Sequence, residues 1–139
     1  MKFYIAYGSN LNKAQMNRRC PGAVALGTTT LPDFQLEFRR GYLTIEYRKG
    51  STTPVGIWAI TEADEERLDR YEGFPGTYYK KQLTVNLYGR KLEATAYVMH
   101  PIFPKQKPSD IYMETVRRGL QDFGLKDDQL IYAYLRAAG

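Results

Sequence analysis

The order of apolar and polar residues predicts alternating strands and turns in the first half of the chain. Lys2 to Tyr7 is rich in β-branched and aromatic residues and predicts a strand, and Gly8-Ser9-Asn10 marks a turn before a short helix over Asn12 to Arg19. Pro21-Gly22 ends that helix. Four more strands are predicted over residues 23–31, 33–39, 42–48 and 54–60, the first two joined at Pro32 and the third showing strict alternation.

The second half predicts helices around one hairpin. Thr61 can cap a helix that runs to about Arg70, with Asp64 as the acid of a capping box. Strands over 77–87 and 91–99 form a hairpin that turns at Tyr88-Gly89-Arg90, and helices follow over 109–123, capped by Ser109, and 127–137. Strands follow one another more often than they alternate with helices. This order predicts an α+β fold with a mixed, strongly curved sheet and a C-terminal helical hairpin.

Length and composition predict one globular domain over residues 1–139. The chain is 43% hydrophobic and 25% charged, which is typical of a protein with a real core. No apolar run is long enough for a signal peptide or a membrane span, so we expect a cytoplasmic protein without a membrane partner. Cys20 and His100 are the single residues of their types, so they cannot supply a multi-ligand metal site, and a half-buried structural thiol is expected at Cys20.

The net charge of +5 raises the question of a nucleic-acid partner. The basic residues come mainly as scattered pairs, such as Arg18-Arg19, Arg39-Arg40 and Lys80-Lys81. Nucleic-acid binders usually concentrate their basic residues on one face or along one helix. A solvated mixed surface is therefore the better interpretation, and no nucleic-acid partner is predicted.

The segment from Tyr7 to Leu11 is the first candidate site. A strand that passes through a small-residue turn into a helix presents free backbone N–H groups at the positive helix end, and such turns bind anions. The segment lacks the glycines of a dinucleotide loop and the Lys-Ser/Thr of a P-loop. On spacing alone, an ordinary turn with Asn10 or Asn12 as the helix cap is equally consistent.

Glu72 is the second candidate, because its carboxyl follows a predicted helix end among Tyr71, Phe74, Tyr78 and Tyr79. The negative end of the helix dipole and the surrounding rings both disfavour the charged carboxylate. We therefore expect its pKa to be raised toward neutrality, the range useful for proton transfer. The alternative is a surface glutamate paired with a nearby Arg or Lys.

Several segments together resemble the γ-glutamylcyclotransferase-like family. They are the near-N-terminal Tyr-Gly-Ser-Asn-Leu, residues 32–38 and 55–58, Leu68-Asp69 with Glu72-Gly73, Tyr78, and the helix opening at residues 108–112 that ends before Gly124-Leu125. The resemblance covers nearly the whole chain. The pentapeptide followed by Glu-Gly about sixty residues later is its most specific part.

The resemblance implies a fold, a reaction and a set of site residues. The fold is a small mixed barrel flanked by helices, and the reaction converts a γ-glutamyl amide or amine to 5-oxoproline without a cofactor or metal. Glu72 is implied as the general acid and base. The substrate-binding residues implied are Tyr7, Gly8, Ser9, Asn10, Leu11, Tyr78 and Tyr112.

Several alternatives stay open at this point. The loop N–H groups could hold either the oxyanion or the α-carboxylate of the substrate, and the amine half of the γ-glutamyl substrate is not defined. A family-like cleft could also bind γ-glutamyl or amino-acid ligands without turnover, although the presence of Glu72 argues against this. Hydrolysis by Ser9 is disfavoured, because nothing in the sequence brings His100 to it.

Overall fold

The computed structural model describes residues 1–138, and a five-stranded sheet is its centre. The strand order across the sheet is β2-β3-β1-β5-β4. The strands are β1 (Lys2–Ala6), β2 (Val24–Arg39), β3 (Tyr42–Ile60), β4 (Tyr78–Leu87) and β5 (Arg90–Met99). The helices are α1 (Lys13–Arg19), α2 (Glu62–Glu72), α3 (Asp110–Asp122) and α4 (Asp128–Ala138), with a 3-10 turn over Ser9–Leu11.

The central strand β1 makes the sheet mixed. It pairs antiparallel with β3, where Ile5 faces Ile57, and parallel with β5, where Tyr4 faces Thr95. The two edge strands β2 and β4 also approach each other, since the Thr29 hydroxyl donates to the carbonyl of Asn86 at 2.6 Å. The predicted α+β fold with a strongly curved mixed sheet is therefore confirmed.

The sheet differs from the prediction in its long strands. Each of β2 and β3 is one continuous strand, where the sequence pattern predicted two. Pro32 does not divide β2, because the register shifts between Pro32 and Phe34 and Asp33 takes a positive φ of 63° there. A bulge of this kind accommodates a residue that cannot donate to the ladder. Residues between the two predicted segments of β3 pair with this region, as Thr52 does with Pro32.

Helix α2 carries the capping box that the sequence predicts. The Thr61 hydroxyl accepts from the Asp64 N–H at 3.0 Å, and the Asp64 carboxylate accepts from the Thr61 N–H at 3.1 Å. The helix ends at Gly73, whose φ of 64° is the left-handed conformation of a helix terminus. Glu72 is therefore the last helical residue, and the prediction that it lies beyond the helix end was wrong.

Helices α3 and α4 follow one another in the chain, but α3 packs mainly against the 3-10 turn and α4 against β2. The predicted C-terminal helical hairpin is therefore corrected, because the two helices pack on other elements rather than on each other. Ser109 caps α3 as predicted, with its hydroxyl accepting from the Tyr112 N–H at 3.1 Å. Gly119 of α3 lies directly against the chain at Leu11 and Asn12. Within residues 1–138, no helix has the length and the apolar character needed to cross a membrane. The thiol of Cys20 is fully buried rather than half-buried, because it packs under α2 with its sulfur 3.6 Å from the carbonyl oxygen of Asp64.

Candidate active site

A cavity of about 330 Å³ opens where the end of β1 meets the C-terminal end of α2. Residues from β1, β3, β4, β5, α2 and α3 line it, so it depends on the whole fold rather than on one loop. Its volume is in the range of small-molecule sites. The structure brings together all but one of the predicted site residues here, namely Tyr7, Gly8, Ser9, Asn10, Glu72, Tyr78 and Tyr112.

Leu11 is the predicted site residue that does not line the cavity. Its side chain is fully buried in the core and lies close to Gly56 and Gly119. Its N–H donates to the carbonyl of Gly8 at 3.0 Å and is not free for a ligand. Leu11 therefore anchors the loop in the core and is not brought to the cavity with the other predicted site residues.

The loop between β1 and α1 presents main-chain donors. The N–H groups of Leu11 and Asn12 close the 3-10 turn on the carbonyls of Gly8 and Ser9. The N–H groups of Gly8, Ser9 and Asn10 have no hydrogen-bond partner among residues 1–138. Asn12 caps α1, because its side chain accepts from the Gln15 N–H at 3.1 Å. The cap and the candidate anion site are thus separate parts of one turn.

Glu72 is half-buried and lines the cavity. Burial raises the pKa of its carboxyl to about 7, and the positive charge of Arg19 acts in the opposite direction. Within residues 1–138, Glu72 forms no ion pair with Lys, Arg or His, so the alternative of a paired surface glutamate does not hold. A carboxyl with this pKa can both accept and donate a proton near neutrality.

Tyrosine side chains form the walls of the cavity, and their hydroxyls hold the walls together. The Tyr7 hydroxyl donates to the carbonyl of Tyr97 at 2.5 Å, and the Tyr78 hydroxyl donates to the carbonyl of Leu43 at 2.8 Å. The N–H of Leu43 donates to the Tyr112 hydroxyl at 3.2 Å. Burial raises the pKa of Tyr7, Tyr78 and Tyr112 above the ordinary phenol value, so all three are neutral near pH 7.

Other lining residues were missed in the sequence. They include Tyr4, Tyr42, Tyr97 and Arg40, which long-range strand pairing and the β2–β3 turn bring to the cavity, and Arg70, which lies near the end of α2. The richness in tyrosine was the one available signal, since phenols suit a polar cleft cut into a core. Neither Phe74 nor Tyr79, both expected around Glu72, lines the cavity, because Phe74 is exposed and Tyr79 packs against His100.

Ser9 has no histidine beside it. Its hydroxyl is hydrogen-bonded to the Tyr71 hydroxyl at 3.0 Å. The His100 ring instead lies 2.9 Å from the carbonyl of Pro75 and outside the cavity lining. A Ser-His pair for hydrolysis is therefore not assembled around Ser9.

The family comparison decides which group of proteins this chain is part of. The family model described as "Gamma-glutamyl cyclotransferase, AIG2-like" matches residues 4–116, most of the chain and all the residues that line the cavity. The chain belongs to this family. The resemblance inferred from the pentapeptide and the Glu-Gly pair is confirmed.

Relatives and solved structures agree with the family. The chain is 28% identical to γ-glutamylcyclotransferase of Bos taurus over 88% of its own length and 71% of the relative's, and 27% identical to that of Homo sapiens over the same shares. Its fold superposes on a solved γ-glutamyl cyclotransferase with a TM-score of 0.83, at 24% identity over 99% of this chain and 86% of the other. YkqA from Bacillus subtilis gives 0.79, at 18% identity over 99% and 54%. The family and the relatives named γ-glutamylcyclotransferase support an enzyme with cyclotransferase activity, and the solved structures show that the fold is shared.

Proposed function

We propose that this protein converts γ-glutamyl amides or amines to 5-oxoproline and a free amine. The observation that carries the proposal is the Glu72 carboxyl, whose pKa is raised to about 7 and which borders a cavity shared with the free N–H groups of Gly8, Ser9 and Asn10. A proton-transfer group and a set of main-chain donors are the two elements that an intramolecular acyl transfer needs.

The first step is the deprotonation of the substrate's α-ammonium group. Ionised Glu72 accepts this proton and leaves a neutral amine with a free lone pair. The pKa of about 7 means that a large fraction of the enzyme carries the carboxylate at neutral pH. The cavity walls hold the glutamyl chain folded, so that the amine approaches the γ-carbonyl carbon of the same molecule.

The second step is ring closure. The amine nitrogen forms a bond to the γ-carbonyl carbon, and the carbonyl oxygen takes up negative charge in a tetrahedral intermediate. The N–H groups of Gly8, Ser9 and Asn10 are suited to stabilise an anion, either this oxyanion or the α-carboxylate. Their fixed positions in the 3-10 turn mean that no reorganisation is needed when the charge develops.

The third step breaks the bond between the γ-carbon and the leaving nitrogen. Protonated Glu72 gives its proton to that nitrogen, so that a neutral amine departs and Glu72 becomes a carboxylate again. The ring nitrogen, which still carries two hydrogens, then gives one of them to the Glu72 carboxylate, and this second proton passes to the released amine. Two protons therefore move from the α-nitrogen to the leaving nitrogen through one side chain, and the products are 5-oxoproline and an ammonium ion.

The charged residues of the cavity lining indicate which charge the amine half of the substrate carries. Arg40 and Arg70 are exposed residues of the cavity lining, and neither forms an ion pair within residues 1–138. Two guanidinium groups disfavour a cationic amine half and favour a neutral or carboxylate-bearing one. We therefore propose as the substrate class γ-glutamyl compounds whose amine half is neutral or carries a carboxylate.

The test is 5-oxoproline release from a panel of γ-glutamyl amides by the wild type and by Glu72→Gln. We expect Glu72→Gln to lower kcat by about 10³-fold or more, because both proton transfers are lost, while ligand binding measured by calorimetry is largely retained. Glu66→Gln is the matched control, since it makes the same change at an exposed position of the same helix. It should leave turnover unchanged.

Two outcomes would contradict the proposal. Near-normal turnover in Glu72→Gln would exclude this carboxyl as the proton shuttle. Binding of γ-glutamyl ligands without any 5-oxoproline release by the wild type would instead support a non-catalytic binding module.

A further inference from the structure

The side-chain amide of Asn10 lies between Arg19 and Glu72. The Asn10 Nδ2 atom donates to the Tyr4 hydroxyl at 2.8 Å and lies 3.4 Å from Glu72 Oε1. On its other side, the Arg19 guanidinium donates to Asn10 Oδ1. One amide thus connects a cation at the end of α1 with the carboxyl at the end of α2.

The Arg19 contact determines which way the amide faces. A guanidinium group carries only donors, so it must meet the oxygen of the amide and not its NH₂ group. With the oxygen held on the Arg19 side, the NH₂ group is turned toward Glu72 and Tyr4. A flipped amide would place its oxygen against the Glu72 carboxylate and its NH₂ group against the guanidinium, which loses both interactions.

Arg19 is itself held in place. Its guanidinium lies 3.5 Å from the centre of the Tyr71 ring, the residue directly before Glu72, and donates to Gln15 Oε1 at 3.2 Å. The main chain of Asn10 is fixed as well, because its main-chain carbonyl accepts from Trp58 Nε1 at 3.0 Å. The donors and acceptors around this amide therefore form one rigid arrangement, in which Arg19 and Trp58 lie outside the lining of the substrate cavity.

We propose that Arg19 is a positioning residue, which fixes the Asn10 amide with its NH₂ group toward Glu72 and so holds the carboxyl in its place beside the cavity. The catalytic consequence rests on the proposed function, whereas the positioning itself does not. Arg19 does not touch the substrate cavity, and its effect on the reaction is exerted through Asn10 and through its own charge.

Several other titratable and charged groups surround Glu72 besides Arg19. They come from every surrounding element and comprise Tyr4, Tyr7, Tyr71, Tyr78, Tyr112 and, in the lining of the same cavity, Tyr97, Arg40 and Arg70. Arg19 is the cation whose charge lowers the pKa of Glu72. Removing it should therefore raise the Glu72 pKa further, by taking away both the charge and the oriented amide.

The experiment measures the titration of the Glu72 carboxyl carbon by ¹³C NMR, assigned by its loss in Glu72→Gln. Arg19→Gln is compared with Arg18→Gln, which removes the same charge from an exposed neighbour on the same helix. We expect the titration midpoint to move to higher pH in Arg19→Gln and to stay at the wild-type value in Arg18→Gln. Arg19→Lys, which keeps the charge, should show a smaller shift of the midpoint than Arg19→Gln.

Kinetics provide the second readout. Below the wild-type midpoint of the Glu72 titration, kcat/KM of Arg19→Gln should be about threefold or more lower than that of the wild type. It should return to the wild-type value at high pH, because the substitution lowers only the ionised fraction of Glu72. A purely structural role would lower kcat/KM by the same factor at every pH. If Arg19→Gln and Arg18→Gln share the wild-type midpoint, the proposal is wrong.

A third measurement needs only the wild type and covers the case in which Arg19→Gln does not fold. The side-chain ¹⁵N–¹H signals of Asn10 should titrate with the same midpoint as Glu72, and independence of pH there would overturn the proposal. The NMR readouts require no turnover. An inactive protein in which the midpoint still moves would therefore refute the proposed function and leave the positioning role standing.

Discussion

Gly119→Ala tests whether α3 supports the loop that carries the main-chain donors. A Cβ atom at Gly119 would lie 2.6 Å from the nitrogen of Asn12 and 2.7 Å from the carbonyl carbon of Leu11, whereas ordinary contacts begin at 3.4 Å. Both neighbours are backbone atoms, which cannot rotate away as a side chain can. Either the helix or the loop must retreat by about 0.8 Å, the difference between 3.4 and 2.6 Å.

Two opposing effects set the magnitude. Replacing glycine by alanine inside a helix stabilises it by about 1 kcal/mol. Overpacking of a well-packed contact costs about 1–3 kcal/mol, and rigid backbone neighbours place this case at the upper end. We expect a net loss of about 1–2 kcal/mol in the free energy of unfolding, and a loss of up to about 10²-fold in kcat/KM, because the loop donors are displaced by nearly 1 Å.

The assay combines urea unfolding with the rate of 5-oxoproline release. Gly76→Ala is the matched control, since its Cβ would meet its nearest neighbour, the carbonyl oxygen of Gly73, only at 3.7 Å. It should change neither quantity appreciably. Wild-type stability and wild-type kcat/KM in Gly119→Ala would refute the reasoning that α3 holds the loop by direct backbone contact.

Two further predictions follow from the charges of the cavity. Raising the pH from 4.5 to about 7 should lower the free energy of unfolding of the wild type relative to that of Glu72→Gln, because the carboxyl ionises at lower pH in the unfolded state than in the folded state. Denaturation at several pH values should show a difference of about 2 kcal/mol above pH 7. Plots of unfolding free energy against pH that stay parallel for the two proteins would contradict this. Replacing Arg40 and Arg70 by Gln should raise KM about tenfold for substrates whose amine half carries a carboxylate, and should leave KM unchanged for substrates in which that carboxylate is an amide. An equal rise in KM for both would mean that the arginines contact the glutamyl half instead.

Local signals in the sequence predicted most of the secondary structure. The capping box of Thr61 and Asp64, the hydroxyl cap of Ser109 and the turn at Gly89 each depend on residues a few positions apart, and all are present in the structure. The error at Pro32 has a tertiary cause. A bulge lets β2 continue past a residue that usually ends a strand, and only the pairing with β3 makes the bulge possible.

The site was only partly predictable for the same reason. The pentapeptide loop and Glu72 could be selected because each has a local pattern and the family resemblance joins them. Tyr4, Tyr97 and Arg19 have no local pattern that points to a cavity. Tyr4 and Tyr97 reach it through the pairing of β1 with β5, and Arg19 comes close to Glu72, outside the cavity, through the approach of α1 to Tyr71. Both are contacts between residues far apart in the sequence.

The tyrosines of the cavity walls are neutral, and Glu72 is the one carboxylate among the described residues that line the cavity. Ligand binding is therefore linked to the pH and the buffer of the solution. Near pH 7 an empty site is a mixture of protonated and ionised molecules. A ligand that brings a cationic group beside this carboxyl favours the ionised form and so expels part of a proton into the buffer as it binds. The heat measured on binding such a ligand will accordingly depend on the ionisation enthalpy of the buffer chosen.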